Sequence, residues 1–113
     1  MNKDILRTTI LVSLAAGPQH GYGMVADITE LSEGRFTPAV GSLYRAIDLL
    51  IRDGFIADHS TEVVDGRYRR YYHLTPLGRA ELAETTGVMA AVISAAARRL
   101  GAPPAAPTAP AGA

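Results

Sequence analysis

Residues 37–56, TPAVGSLYRAIDLLIRDGFI, decide how the rest of the chain is read. Val40, Leu43, Ile47 and Leu50 recur at three- and four-residue spacing, with Tyr44 and Ile51 widening the stripe. That pattern predicts one amphipathic helix. Thr37 has an N-cap side chain, Pro38 suits the first helical position, and Gly54 after Asp53 is a stop. The opposite face carries Gly41, Ser42, Arg45, Asp48 and Arg52, all small or polar. Such a helix can enter a DNA major groove, although any surface helix has a polar face.

The next stretch supplies the context. Residues 55–64 and 67–75 predict two strands, and Asp65-Gly66 between them is a strong hairpin signal. With that loop, Val64 should face Arg67, Val63 Tyr68, Glu62 Arg69 and, further down, Asp58 His73. Arg67, Arg69, Tyr71 and His73 then share one side of the second strand, and Tyr68, Arg70, Tyr72 and Leu74 the other. Both sides are charged near the tip and apolar near the base, so the base packs and the tip stays free. A helix followed by such a hairpin is the layout of a winged helix, mainly α with a small β-hairpin. Tip arginines can reach backbone phosphates or a minor groove. The plainer use of Arg69, a cross-strand pair with Glu62, is worth under about 1 kcal/mol when exposed and does not prevent DNA contact.

Upstream, residues 5–16 predict a first helix with Asp4 as N-cap, Leu6, Ile10 and Leu14 in line, and Gly17-Pro18 as its end. The β-branched run at residues 8–12 is the competing strand reading. Residues 21–33 predict a second helix with Met24, Val25, Ile28 and Leu31 inward, Asp27, Glu30 and Glu33 in water, and Gly34 closing it. The short connection to Thr37 makes helices two and three a helix-turn-helix pair. Thr75 and Pro76 start a last helix that runs to about Leu100. Along it Leu82, Met89, Ile93, Ala96 and Leu100 form a seam fit for another helix, interrupted by Gly87 at about 1 kcal/mol. The winged helix has a complete core without this seam, so a second copy of the chain is its expected cover. Three segments result: 1–75 as the winged helix-turn-helix, 76–100 as the dimerisation helix, and 101–113, GAPPAAPTAPAGA, as a disordered tail.

Composition sets limits. The 113 residues make one small domain, 48% hydrophobic, with an aliphatic core because there is no Trp. Without cysteine there are no disulfides or thiolate metal sites. The apolar run near the start is short and broken, without a cleavage pattern, so a soluble cytoplasmic protein is expected. Eleven Lys and Arg balance eleven Asp and Glu, a neutral sum where many nucleic-acid binders are basic. Affinity for phosphate follows the local patch, and a neutral chain needs two copies acting together. Other constellations fail. GYGMVA at residues 21–26 mimics a dinucleotide fingerprint but lacks the βαβ units it needs. His20, His59 and His73 have no ligand spacing, so neither metal nor cofactor is expected, and His20 reads as a hydrogen-bonding group at a helix start. Nothing titratable converges as an enzyme requires.

Gly-Pro-x-His-Gly-Tyr at 17–22, Gly-Ser-Leu-Tyr-Arg-Ala-Ile at 41–47, Asp-Gly-Phe-Ile at 53–56 and Gly-Arg-x-Arg-Arg-Tyr-Tyr-x-Leu-Thr-x-x-Gly at 66–78 occur in this order. Each is modest alone. Together they resemble the PadR family of bacterial transcriptional regulators, over residue 5 to about residue 100. The resemblance implies a winged-helix homodimer that represses operons from double-stranded DNA. Ser42, Tyr44 and Arg45 match its recognition helix, Tyr22 the start of helix two, and Arg67, Arg69 and Arg70 the wing. Thr37, at the recognition helix's start, is counted with them. It further implies a dimer made by the last helix, through Leu82, Met89, Ile93, Ala96 and Leu100, with Leu6 and Ile10 of the first helix. Tyr68 departs from the small residue or Pro common in the family. Some small members hold flat drugs between aromatic side chains, which the lack of Trp argues against here. An apolar effector near Met89 and Ile93 is the remaining expectation. The rival reading is a winged-helix module that binds another protein and never touches DNA.

Overall fold

In the computed structural model, which describes residues 3–101, the elements follow as α1 (Lys3–Ala15), β1 (Gln19–His20), α2 (Gly21–Leu31), α3 (Val40–Arg52), β2 (Ile56–Val64), β3 (Arg67–Leu74) and α4 (Pro76–Arg99). The expected disordered tail, apart from Gly101, lies outside the described residues. The chain divides into two compact units after Leu82.

In the first unit, α1, α2 and α3 close an aliphatic core over one face of an antiparallel sheet ordered β1-β3-β2. Leu6, Ile10, Leu11 and Leu14 of α1 meet Met24 and Ile28 of α2, Leu43, Ile47 and Leu50 of α3, and Ile56, Tyr72 and Leu74 of the sheet. The first helix is therefore a helix, and the strand reading of its β-branched run is excluded. Its stripe, however, is core. Leu6 is 6% and Ile10 0% exposed within one protomer, so neither is available to a partner as expected; Ile5 and Val12 are the exposed apolar residues of α1. Asp4 lies in its first turn.

The helix ends differ from expectation in ways that hydrogen bonding explains. Thr37 does not cap α3: its hydroxyl lies 2.9 Å from that of Thr29 on α2, Pro38 is buried ahead of the helix, and extended Ala39 occupies the N-cap without a side-chain bond. At the other end, the Gly54 N–H donates to the Ile51 carbonyl and the Phe55 N–H to that of Leu50, with Gly54 at φ +83°. This is a Schellman closure at the glycine stop the sequence predicts. α2 closes in the same way, but Glu33 rather than Gly34 takes the first left-handed position, at φ 55°. Leu31 and Val40, expected inward, are exposed because each sits at a helix terminus beyond the core.

The hairpin pairs as predicted at its tip, Val64 with Arg67, Val63 with Tyr68 and Glu62 with Arg69. Positive φ at both Asp65 and Gly66 marks a type I′ turn. Further down the expected register fails: Asp58 faces Tyr72 and Ala57 faces His73, because His59 is an extra residue between Asp58 and Ser60. The turn fixes the register of the tip, while burial of Ile56 opposite Leu74 fixes that of the base, and the two disagree by one residue. A bulge at His59 absorbs the difference.

Thr75 starts α4 as predicted, its Oγ1 accepting from the Gly78 N–H at 3.0 Å and donating to the Gly54 carbonyl at 2.6 Å. Leu82 packs partly against the core. In the second unit the helix keeps an open apolar surface: Met89 is 39% and Ile93 61% exposed, and Ala96 and Leu100 are open as well.

Candidate nucleic-acid interface

The site is assembled around the first turn of α2. Gln19 and His20 form a two-residue strand paired with Tyr72 and Tyr71 of β3. His20, in extended conformation, then caps α2 by accepting from the Gly23 N–H on Nδ1 at 3.1 Å, the role expected of it. Its ring meets that of Tyr71 edge-on at 5.3 Å. The start of α2 is thereby fixed to the strand that carries the wing arginines. From the other side Tyr44 of α3 lies over Gly21, so closely that a Cβ there would overlap the phenol hydroxyl and approach Cζ to 2.7 Å.

Between these elements opens a cleft of about 440 Å³, bordered by Tyr22 and Tyr44 and by Arg67, Tyr68, Arg69 and Arg70 of the wing. The N-terminal end of α2 contributes oriented amides and the positive end of its dipole. The guanidinium groups contribute most of the charge, and the tyrosines offer hydroxyl donors. This combination suits a polyanion. Arg69 stands 4.0 Å from Glu62 and Arg70 3.4 Å from Asp58, both pairs exposed to solvent, and Arg67 forms no ion pair among the described residues. Glu62 also accepts from the Tyr71 hydroxyl at 2.7 Å. Burial and then the neighbouring Arg69 lower the His20 pKa, Glu62 opposing them, so the imidazole is held neutral as an acceptor for its cap. Burial, Tyr72 and Tyr22 raise that of Tyr44 and keep its hydroxyl protonated.

Of the eight residues expected to face DNA, five (Tyr22, Tyr44, Arg67, Arg69 and Arg70) border this cleft. Ser42 and Arg45 lie apart from it on the open face of α3, where Arg45 Nη2 donates to Ser42 Oγ at 3.2 Å. Thr37 is engaged by Thr29 between the helices. His20 and Tyr68 join the cleft without having been expected there. A two-residue strand has no periodicity to betray it, and Tyr68 stood out only as a departure at the turn.

Three helices, a strand-paired hairpin and a cationic cleft between them define a winged helix-turn-helix. Residues 10–84 match the profile of the transcriptional regulator PadR-like family. The transcriptional regulator Rv3488 of Mycobacterium tuberculosis is 38% identical over 79 residues, 70% of this chain and 70% of its own. Among solved structures, a transcriptional regulator from Clostridium thermocellum superposes with a TM-score of 0.70 at 21% identity, over 84% of this chain and 89% of that one. Bacillus subtilis PadR in complex with operator DNA does so with a TM-score of 0.63 at 25% identity, over 71% of this chain and 45% of that longer one. The chain belongs to the PadR-like family of transcriptional regulators. It is a regulator and not an enzyme.

Proposed function

We propose that this regulator is a cytoplasmic, sequence-specific DNA-binding protein that acts as a homodimer, repressing transcription from a palindromic operator. The observation that carries the reading is the cleft, where tyrosines from α2 and α3 meet the wing arginines beside the open face of α3. In this reading α3 lies in the major groove with Ser42 and Arg45 toward base edges. Tyr22, Tyr44, Arg67, Arg69 and Arg70 hold the backbone. The operator-bound state of Bacillus subtilis PadR supports it. The exposed stripe of Met89, Ile93, Ala96 and Leu100 supports a second copy as the partner of α4, and an apolar effector lodges near Met89 and Ile93. Half-site centres then lie roughly one or two helical turns apart.

Fluorescence anisotropy on the protein's own upstream DNA and on a scrambled duplex, at low and physiological salt, tests the reading. The native site is expected to bind tightly, with steep salt dependence. Arg67→Ala should weaken all sequences alike and reduce the salt slope by about one, whereas Arg45→Ala should blur sequence preference. Equal binding to both duplexes at either salt would sink sequence-specific regulation, and binding to neither would favour the protein-interaction module that the neutral net charge suits.

A further inference from the structure

One apolar side chain of α3 is used by neither the core nor the wing cleft. Leu43, Ile47 and Leu50 are buried in the core, Ala46 and Ile51 pack against it, and Tyr44 borders the cleft. Val40 is exposed as the first residue of the helix. Leu49 stands inside α3 and belongs to neither group, yet it is 48% exposed. Helical spacing fixes its company. It follows Ser42 by seven residues and Arg45 by four, two turns and one turn of helix, so the three side chains share a row on the open face. Arg45 Nη2 donates to Ser42 Oγ at 3.2 Å within that row. Gly41, Asp48 and Arg52 complete the face and are small or charged. A lone exposed leucine is ordinary on a protein surface. This one lies in line with the two residues proposed to meet base edges, at the spacing by which a homeodomain's third helix reads bases along the major groove.

We propose that Leu49 reads the C5-methyl group of a thymine in the operator. This assignment rests on the proposed placement of α3 in the major groove. A leucine side chain has neither donor nor acceptor, and the thymine methyl is the one apolar group that base edges display in that groove. Contact between the two removes apolar surface from water on both sides, which favours thymine over the other three bases at that position. Four residues of helical rise set Leu49 about 6 Å along the axis from Arg45. The thymine therefore lies about one or two base-pair steps from the base that Arg45 meets.

The test replaces the thymines of the native upstream site one at a time by deoxyuridine, which removes the methyl group and keeps the base pair. Anisotropy of the full chain on each duplex, for wild type and for Leu49→Ala, gives a double-mutant cycle between one side chain and one methyl. At one position in a half-site, loss of the methyl should weaken wild-type binding about three- to fivefold, the scale of burying one such group. Leu49→Ala should bind the thymine and deoxyuridine duplexes equally at that position. Alanine is at least as good a helix former as leucine, so the variant should keep the wild-type Tm. Leu49→Met, which keeps an apolar tip, should keep the methyl effect. A methyl effect of wild-type size in Leu49→Ala would overturn the assignment, as would a site that wild type prefers to scrambled DNA but that contains no methyl-sensitive thymine. No preference for the native site would sink the DNA reading itself, and the assignment with it.

Discussion

Gly78 is the residue at which the close of the Leu-Thr-x-x-Gly motif acquires a physical cause. It is buried in α4, and a Cβ there would collide with the Phe55 carbonyl and reach Leu74 Cδ1 at 2.8 Å. Gly78→Ala should therefore destabilise the fold by about 1–3 kcal/mol, as overpacking does. Gly87, in the same helix, has open space around its Cα, so Gly87→Ala should stabilise by up to about 1 kcal/mol. Denaturant titration of both variants gives opposite signs if this account holds. His20 makes a prediction in pH. Its pKa is lowered in the folded state from 6.5, so just below 6.5 the unfolded chain binds the extra proton. Stability is full above that value, falls as pH drops through the window, and levels once the folded imidazole is protonated too. His20→Asn keeps a capping oxygen but does not titrate. The wild-type-minus-variant stability measured from pH 8 to 5 should carry this slope, and a flat difference would refute it. Thr37 shows why single residues are hard to read: an N-cap hydroxyl and a helix-to-helix hydroxyl bond need the same side chain, and only packing chooses.

Among the elements, α3 and the hairpin tip were legible because periodicity and an Asp-Gly turn are local signals. Core stripes on α1 and α2 were legible for the same reason, though which of their apolar residues remained for a partner was not, since periodicity gives a face and not what covers it. β1 was hidden because two residues have no period, and its existence depends on an open edge of β3. The wing itself was legible as charge, but its internal pairing matters for function. Glu62 faces Arg69 and holds Tyr71, so it competes with any phosphate for that end of the cleft. Glu62→Gln keeps an acceptor for the Tyr71 hydroxyl while removing the negative charge. On the proposed reading it should tighten DNA binding roughly two- to five-fold, the scale of an exposed ion pair. Weaker binding of the variant in the same anisotropy titration would mean that Glu62 orders the arginine rather than holding it back.

At the scale of the whole molecule, neutral net charge and a small cationic cleft set the terms. One protomer has few cations to offer DNA, and in the proposed homodimer two linked copies would multiply their affinities through effective concentration. Ile93→Glu places a charge in the exposed stripe of α4, outside the winged unit. On the proposed homodimer, light scattering of this variant should show monomers, and operator affinity should fall by about a hundredfold or more with the fold of the first unit intact. A variant that stays dimeric would move the interface elsewhere. The extra residue at His59 also bears on how such a protein diversifies. The arm beyond it counts its residues from the Asp65-Gly66 turn, while the anchor below it counts from Ile56. Two residues added to each strand beyond Ser60 and Tyr71 would lengthen the arm by about 7 Å with every side chain on its original face. On the proposed reading, the span of DNA within reach can thus be rewritten in steps, as one exchanges the bit of a tool, and the handle never needs to be recut.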